Sequence, residues 1–264
     1  MSPTMDARKR AVRELPQFPP AARLAYRYRS RLLGWLLDEH AFLREALRRA
    51  WPRAVRRELV VTERVVEIPF VLRSLLLPPG SRVLDVGSRW SVLPLYLVAL
   101  GYRTVAVDLD EILLGRSGPD LVKADLRASP FRSASFDAAV MVSTLEHVGV
   151  GWYDTRTDSE DDLRIMRELR RLVKPGGRLM ITVPVGRGGV GRTQRAYDRE
   201  RLRMIIQGWA VEERFFFVQR GVSWQPASEE IAVREDSVDV TRAVALIHLR
   251  RPEGEPVHPA RASS

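Results

Sequence analysis

The spacing of apolar positions changes once along the chain. Over 21–50, Leu24, Tyr28, Leu32, Leu36, Leu43 and Leu47 recur at intervals of four or seven. Arginines and acids fill the other positions, which predicts an amphipathic helix or a pair of helices. Trp51-Pro52 interrupts the pattern. A second helix is expected over 62–77, closed by Pro78-Pro79-Gly80. Beyond it, short apolar runs alternate with longer segments, and strands are expected at 82–86, 104–107, 121–124, 138–142, 178–183, 211–218 and 244–250. A helix over 161–173 places Leu163, Met166, Leu169 and Leu172 on one side, and Lys174-Pro175-Gly176-Gly177 stops it. This rhythm predicts βαβ units in a mostly parallel sheet covered on both faces. The expected organisation is an N-terminal helical extension or lid over 1–79, an α/β domain over 80–252 and a loose polar tail over 253–264. The first twenty residues, ending in PQFPP, read as a poorly ordered arm, and there are no internal repeats.

Composition narrows the setting. A length of 264 residues suits one large α/β domain with an appendage. No run of about 18 uncharged apolar residues exists, so no membrane span is expected. The N-terminus lacks the apolar core of a signal peptide, and a cytoplasmic location is expected. The absence of cysteine excludes disulfides, thiolate-bound zinc and a cysteine nucleophile. The net charge is +10, and its cations are almost all arginine, with lysine only at Lys9, Lys123 and Lys174. Residues 1–80 carry 16 basic and 8 acidic side chains, so most of the excess lies there. Such a region can meet nucleic acid, but its cations are interleaved with acids, as on a solvated helix face.

The stretch VLDVGSRWS (83–91) runs from a strand into a turn with a single glycine, Gly87. The next strand ends in VAVDLD and places Asp108 21 residues after Gly87. An acid at that point can accept hydrogen bonds from both ribose hydroxyls of an adenosine, a feature shared by sites for NAD and for S-adenosylmethionine (SAM). An NAD turn needs further glycines to seat a pyrophosphate. Here Arg89 and Ser91 stand instead, and Asp85 would repel a diphosphate while suiting a cationic methionine moiety.

VLDVG, VAVDLD, DLRASPFRSASFDAAV, STLEHV and LRRLVKPGGRLMITVP together resemble the class I SAM-dependent methyltransferases, over about residues 80–220. Within that superfamily, VSTLEHVGVGWYD, VPVG and AYDRERLRMII are similar to bacterial methyltransferases of glycan and polysaccharide pathways. The resemblance implies a seven-stranded, mostly parallel sheet flanked by helices, with SAM as cofactor. It implies that Asp85 and Gly87 hold the methionine end, that Asp108 holds the ribose, and that Asp125 and Leu126 meet the adenine. Ser143 then faces the transferred methyl group. The turn departs from the family at Arg89 and Ser91.

Methyl transfer requires alignment of a nucleophile with the sulfonium, and a hydroxyl nucleophile needs a base. No Asn/Asp-Pro-Pro-aromatic tetrad follows the fourth strand, which disfavours amino methylation of nucleobases. Glu146-His147 does follow it, and a histidine titrates in the right range. The expected activity is O-methylation of a glycan or small-molecule hydroxyl, with His147 as base beside Glu146. The other role open to this pair is to shape the loop. Some quinone-pathway relatives hold magnesium with a glutamate at the position of Ser143, so no metal is expected here. Acceptor contacts are expected from Tyr153, Asp154, Arg192 and Tyr197, the last two on a glycine- and arginine-rich loop (186–198) read as a flexible lid. The rival readings are an RNA methyltransferase using the basic N-terminal region and an inactive SAM-binding scaffold. The oligomeric state is not legible.

Overall fold

The computed structural model describes residues 61–112, 118–152 and 157–254, which lie in one compact unit beginning at Val61. The helix expected over 21–50, the loose tail beyond Gly254, and Tyr153 and Asp154 lie outside the described residues.

An eight-stranded sheet forms the centre. Its strands are β1 (Arg82–Val86), β2 (Arg103–Asp108), β3 (Asp120–Lys123), β4 (Phe136–Val142), β5 (Val173–Pro184), β8 (Ala210–Arg220), β9 (Ser223–Ala227) and β10 (Ala243–Arg250). Two short strands, β6 (Gly189–Val190) and β7 (Arg195–Ala196), make a separate hairpin. The order across the large sheet is β3-β2-β1-β4-β5-β10-β8-β9. From β3 to β5 every neighbouring pair is parallel, and from β5 onward every pair is antiparallel. The seven expected strands are all present. The eighth, β9, continues from β8 as a hairpin and forms the far edge.

Five helices accompany the strands among the described residues: α1 (Arg64–Ser74), α2 (Leu93–Ala99), α3 (Asp161–Leu172), α4 (Arg199–Ile205) and α5 (Glu229–Ala232). Successive side chains of a strand point to opposite faces, and this alternation builds two cores. Leu84, Val86, Ala139, Met141, Leu179 and Ile181 pack with Leu163, Met166, Leu169 and Leu172 of α3 on one face. Val83, Ala138, Val140 and Met180 pack with Phe70 and Val71 of α1 and Leu93 and Leu97 of α2 on the other. The Lys174-Pro175-Gly176-Gly177 turn does not separate helix from strand as expected. It bulges out between Val173, which pairs with Phe136, and Arg178, which pairs with Ala138, and Lys174 reaches Asp137 at 2.6 Å.

The glycine-rich loop is also more ordered than its composition suggests. A side chain at Gly191 would press on the Val238 carbonyl, and one at Gly188 would press on Asp198. Gln194 Nε2 donates to the Ser237 carbonyl at 2.8 Å. Arg195 and Arg201 converge on the buried Asp162 at the start of α3. The glycines here permit close packing, and the loop expected as a flexible lid over 186–198 is built around a hairpin tied to its neighbours.

Candidate active site

The carboxyl ends of β1, β2 and β4 open together on the side where β1 has β2 on one flank and β4 on the other. Strand order reverses there, so a crevice is expected. A cavity of about 330 Å³ occupies this place. Gly87, Asp108, Asp125, Leu126, Ser143 and His147, all expected site residues, line it.

Gly87 ends β1 with a φ of +81°, and a methyl group on it would overlap the Thr144 side chain. Glycine is needed there both for the turn and for close contact with the β4 loop. The Arg89 amide donates to Asp108 Oδ2 at 3.0 Å and the Asp110 amide to Oδ1 at 3.0 Å. Asp108 thus ties the β1 turn to the β2 turn, and its carboxyl is held above the ordinary range by burial. The Arg89 guanidinium pairs with Asp110 and lies 5.0 Å from the Trp90 ring centroid. The turn has been rebuilt with side chains where glycines were expected.

Asp125 caps the short 3₁₀ turn of Leu126–Ala128, and Arg127 grips its carboxylate through Nε and Nη2 at 2.7–3.0 Å. Arg127 also reaches Asp161 at 2.9 Å. Asp125 therefore lines the cavity with much of its acceptor capacity already engaged. Val107, Ala124, Leu126 and Ile165 give that end of the cavity an apolar wall.

At the other end, Ser143 leaves β4 with a φ of +42°, an uncommon conformation for a non-glycine residue. Its Oγ donates to Glu67 Oε1 of α1 at 2.7 Å. His147 Nδ1 lies 2.5 Å from the Thr193 carbonyl, in the hairpin loop. Burial lowers the His147 pKa. Glu146 is buried beside it, and burial raises its carboxyl to about 8. Among the described residues no group of three or more His, Asp or Glu side chains is placed to hold a metal ion.

Three expected residues do not line the cavity. Asp85 is 2% exposed and does not line the cavity, and burial raises its carboxyl to about 8. Tyr197 is wholly buried, and its hydroxyl is engaged with the Leu145 carbonyl at 3.3 Å and Asp162 at 3.2 Å, so it offers nothing to an acceptor. Arg192 is exposed and stands outside the cavity wall. Arg64 and Glu67 of α1 were not foreseen at the site. Their i, i+3 spacing looks like an ordinary surface ion pair, and only the apolar neighbours of Glu67 hint at burial.

The residues present fit SAM. The cavity joins an apolar wall to a carboxylate at Asp108, as an adenosine requires. Buried carboxyl oxygens without hydrogen-bond partners, Oε2 of Glu67, Oδ2 of Asp85 and Oε2 of Glu146, would suit a cationic methionine end.

Comparison with known proteins agrees. A family model described as a methyltransferase domain matches residues 84–181. The ubiquinone biosynthesis O-methyltransferase of Xanthomonas campestris pv. campestris (strain B100) is 32% identical over 114 residues, covering 39% of this chain and 43% of that relative. The chain thus spans less than half the length of the curated relatives it matches. Among solved structures, a SAM-dependent methyltransferase from Methanosarcina mazei superposes with a TM-score of 0.51 at 14% identity, covering 70% of this chain and 98% of that one. The cyclase SpnF superposes with a TM-score of 0.53 at 19% identity, covering 71% and 80%. These likenesses establish the fold, which hosts more than one chemistry.

Proposed function

We propose that the chain, which matches a methyltransferase domain over residues 84–181, is a SAM-dependent enzyme that O-methylates a small-molecule hydroxyl, with His147 as the base. The O-methylation named for the Xanthomonas relatives supports a hydroxyl acceptor. The observation that carries the reading is the setting of the His147 ring. It lines the cavity beside Ser143 and Thr144. Its Nδ1 faces a carbonyl, which assigns the proton to Nδ1 and the lone pair to Nε2. Burial, aided by the nearby charge of Arg64, keeps the imidazole neutral at neutral pH. Glu146 Oε1 stands 3.9 Å from Nε2. Because Glu146 is itself held protonated near neutrality, it does not draw a proton onto the ring.

Bound SAM supplies an electrophilic methyl group on a sulfonium. Asp108 and the wall around Leu126 would hold the adenosine end. The acceptor oxygen gives its proton to Nε2 as the carbon–oxygen bond forms, and the former carbon–sulfur pair stays on sulfur. The glycan acceptor rested partly on Tyr197, which is closed off, so a small molecule is the better reading.

The test has two parts. Extracts incubated with methyl-labelled SAM should yield a labelled small molecule with the label on an oxygen; label in RNA instead sinks the proposal. With that acceptor, His147→Ala should lower kcat by about 10²–10⁴-fold while affinity for S-adenosylhomocysteine (SAH) is unchanged. Loss of SAH binding along with activity makes His147 a structural residue. The native pH–rate profile should rise with pH through a limb below the ordinary histidine value of about 6.5.

A further inference from the structure

We propose that Gln194 is a positioning residue: from outside the cavity it sets which ring nitrogen of His147 carries the proton. Its part in the reaction rests on the reading of His147 as the base.

A neutral histidine acts as a base through the ring nitrogen that has no proton, and the hydrogen bond made by the other nitrogen decides which one that is. Here that bond is not made within the loop after β4. His147 ends the short 3₁₀ turn Leu145–His147, and its Nδ1 faces the Thr193 carbonyl, 46 positions further along the chain. A backbone carbonyl orients a ring only as firmly as its own segment is held.

Thr193 sits in the turn between β6 and β7. The Gly191 amide closes this turn on the Gln194 carbonyl at 2.8 Å. Gln194 then fastens the turn to the segment that leads into β10. It is 8% exposed, and its Nε2 donates to the Ser237 carbonyl at 2.8 Å and to Thr241 Oγ1 at 3.3 Å. Ser237 is fully buried, and its hydroxyl takes the amides of Arg242 and Ala243 at 3.2 Å each. The anchor is thus the entry to β10, a strand paired with β5 inside the sheet. A side chain needed only to fill this space could be apolar. A buried amide whose nitrogen meets two acceptors of one segment fixes the place of the hairpin instead. The close approach of Nδ1 to the residue beside Gln194 carries that placement to the His147 ring.

The experiment is long-range proton–nitrogen correlation NMR on the full chain without ligand, which reads the proton on each ring nitrogen. The His147 signals are assigned by their loss in His147→Asn. Wild type is compared with Gln194→Met, which keeps the length of the side chain and loses the donor, at about pH 8, where the ring is neutral. The expected wild-type ring carries its proton on Nδ1. In Gln194→Met the ratio of the Nδ1–H to the Nε2–H form should fall about threefold or more, the worth of one hydrogen bond. SAH affinity by calorimetry and the His248 signals of β10 should stay as in the wild type. A wild-type ring with its proton on Nε2, or an unchanged ratio in Gln194→Met, overturns the proposal. So does a shift accompanied by changes at His248 and in SAH binding, since Gln194 would then only support the fold. If Gln194→Met does not fold, Thr241→Val carries the test, because it removes one of the two acceptors: a smaller shift in the same direction is expected, and none overturns the proposal. With the labelled acceptor, Gln194→Met should lower kcat about tenfold while KM for SAM holds. A shifted tautomer with unchanged kcat keeps Gln194 as the residue that places the proton and removes His147 as the base, so the two readings fail separately.

Discussion

Gly87 carries two demands at once, a left-handed backbone and contact with Thr144. Gly87→Ala should therefore damage the site even before any ligand is considered, and SAH affinity measured by calorimetry should fall in a protein that still folds. Unchanged affinity would show that the β4 loop can move aside. Asp108 is different, because its carboxylate already holds two backbone amides. Asp108→Ala removes a ribose acceptor and a brace between two turns together. It should weaken SAH binding by about 1–3 kcal/mol. Residue identity made Asp108, Leu126 and His147 legible in the sequence, since each follows a strand end where a ligand must sit. Tyr197 misled because a residue type does not state its depth. Tyrosine and aspartate serve a buried network as readily as a binding surface.

Elements were legible to the extent that their burial was regular. β1, β4 and β5 are covered on both faces and read as continuous apolar runs. β9 escaped notice because Ser-Trp-Gln-Pro-Ala is short and polar, and Pro226 is tolerated only because the strand lies at the edge. The helix α3 shows the strongest agreement between pattern and packing. Leu169 is fully buried against the sheet. Leu169→Ala should cost about 2–5 kcal/mol in chemical denaturation. A cost below 1 kcal/mol would mean that α3 settles into the space left behind. The hairpin of β6 and β7 was hidden by its glycines, which pattern reading associates with looseness.

For the whole molecule, three of the buried acids, Glu67, Asp85 and Glu146, set an unusual pH dependence. Their unfolded carboxyls titrate near 4, whereas in the fold Glu67 titrates at about 7 and Asp85 and Glu146 at about 8. Between those limits the folded state binds more protons than the unfolded chain, so stability falls as pH rises. His147 and His248, both lowered by burial, act in the opposite sense once the pH drops below about 6.5. Above that value the contribution of the acids prevails over that of these two histidines. The Tm of the ligand-free protein should therefore increase when the pH is lowered from 8 to 6.5, and Glu146→Gln should flatten that slope while raising the Tm at pH 8. A Tm that rises toward pH 8 would show that these acids are ionised in the fold.

The segment entering α1 is fastened at the far edge of the sheet. Trp224 Nε1, from β9, donates to the Val61 carbonyl at 2.9 Å across 163 positions of sequence, and Arg73 meets Glu213 of β8 at 3.0 Å. During synthesis, α1 leaves the ribosome long before its partners do. The helix that presents Arg64 can pack on β1, β4 and β5 as they emerge, but its ties to β8 and β9 form only later. A nascent chain halted after β5 would already contain every strand end of the cavity and still lack these anchors, so the segment entering α1 is fastened among the last steps of assembly.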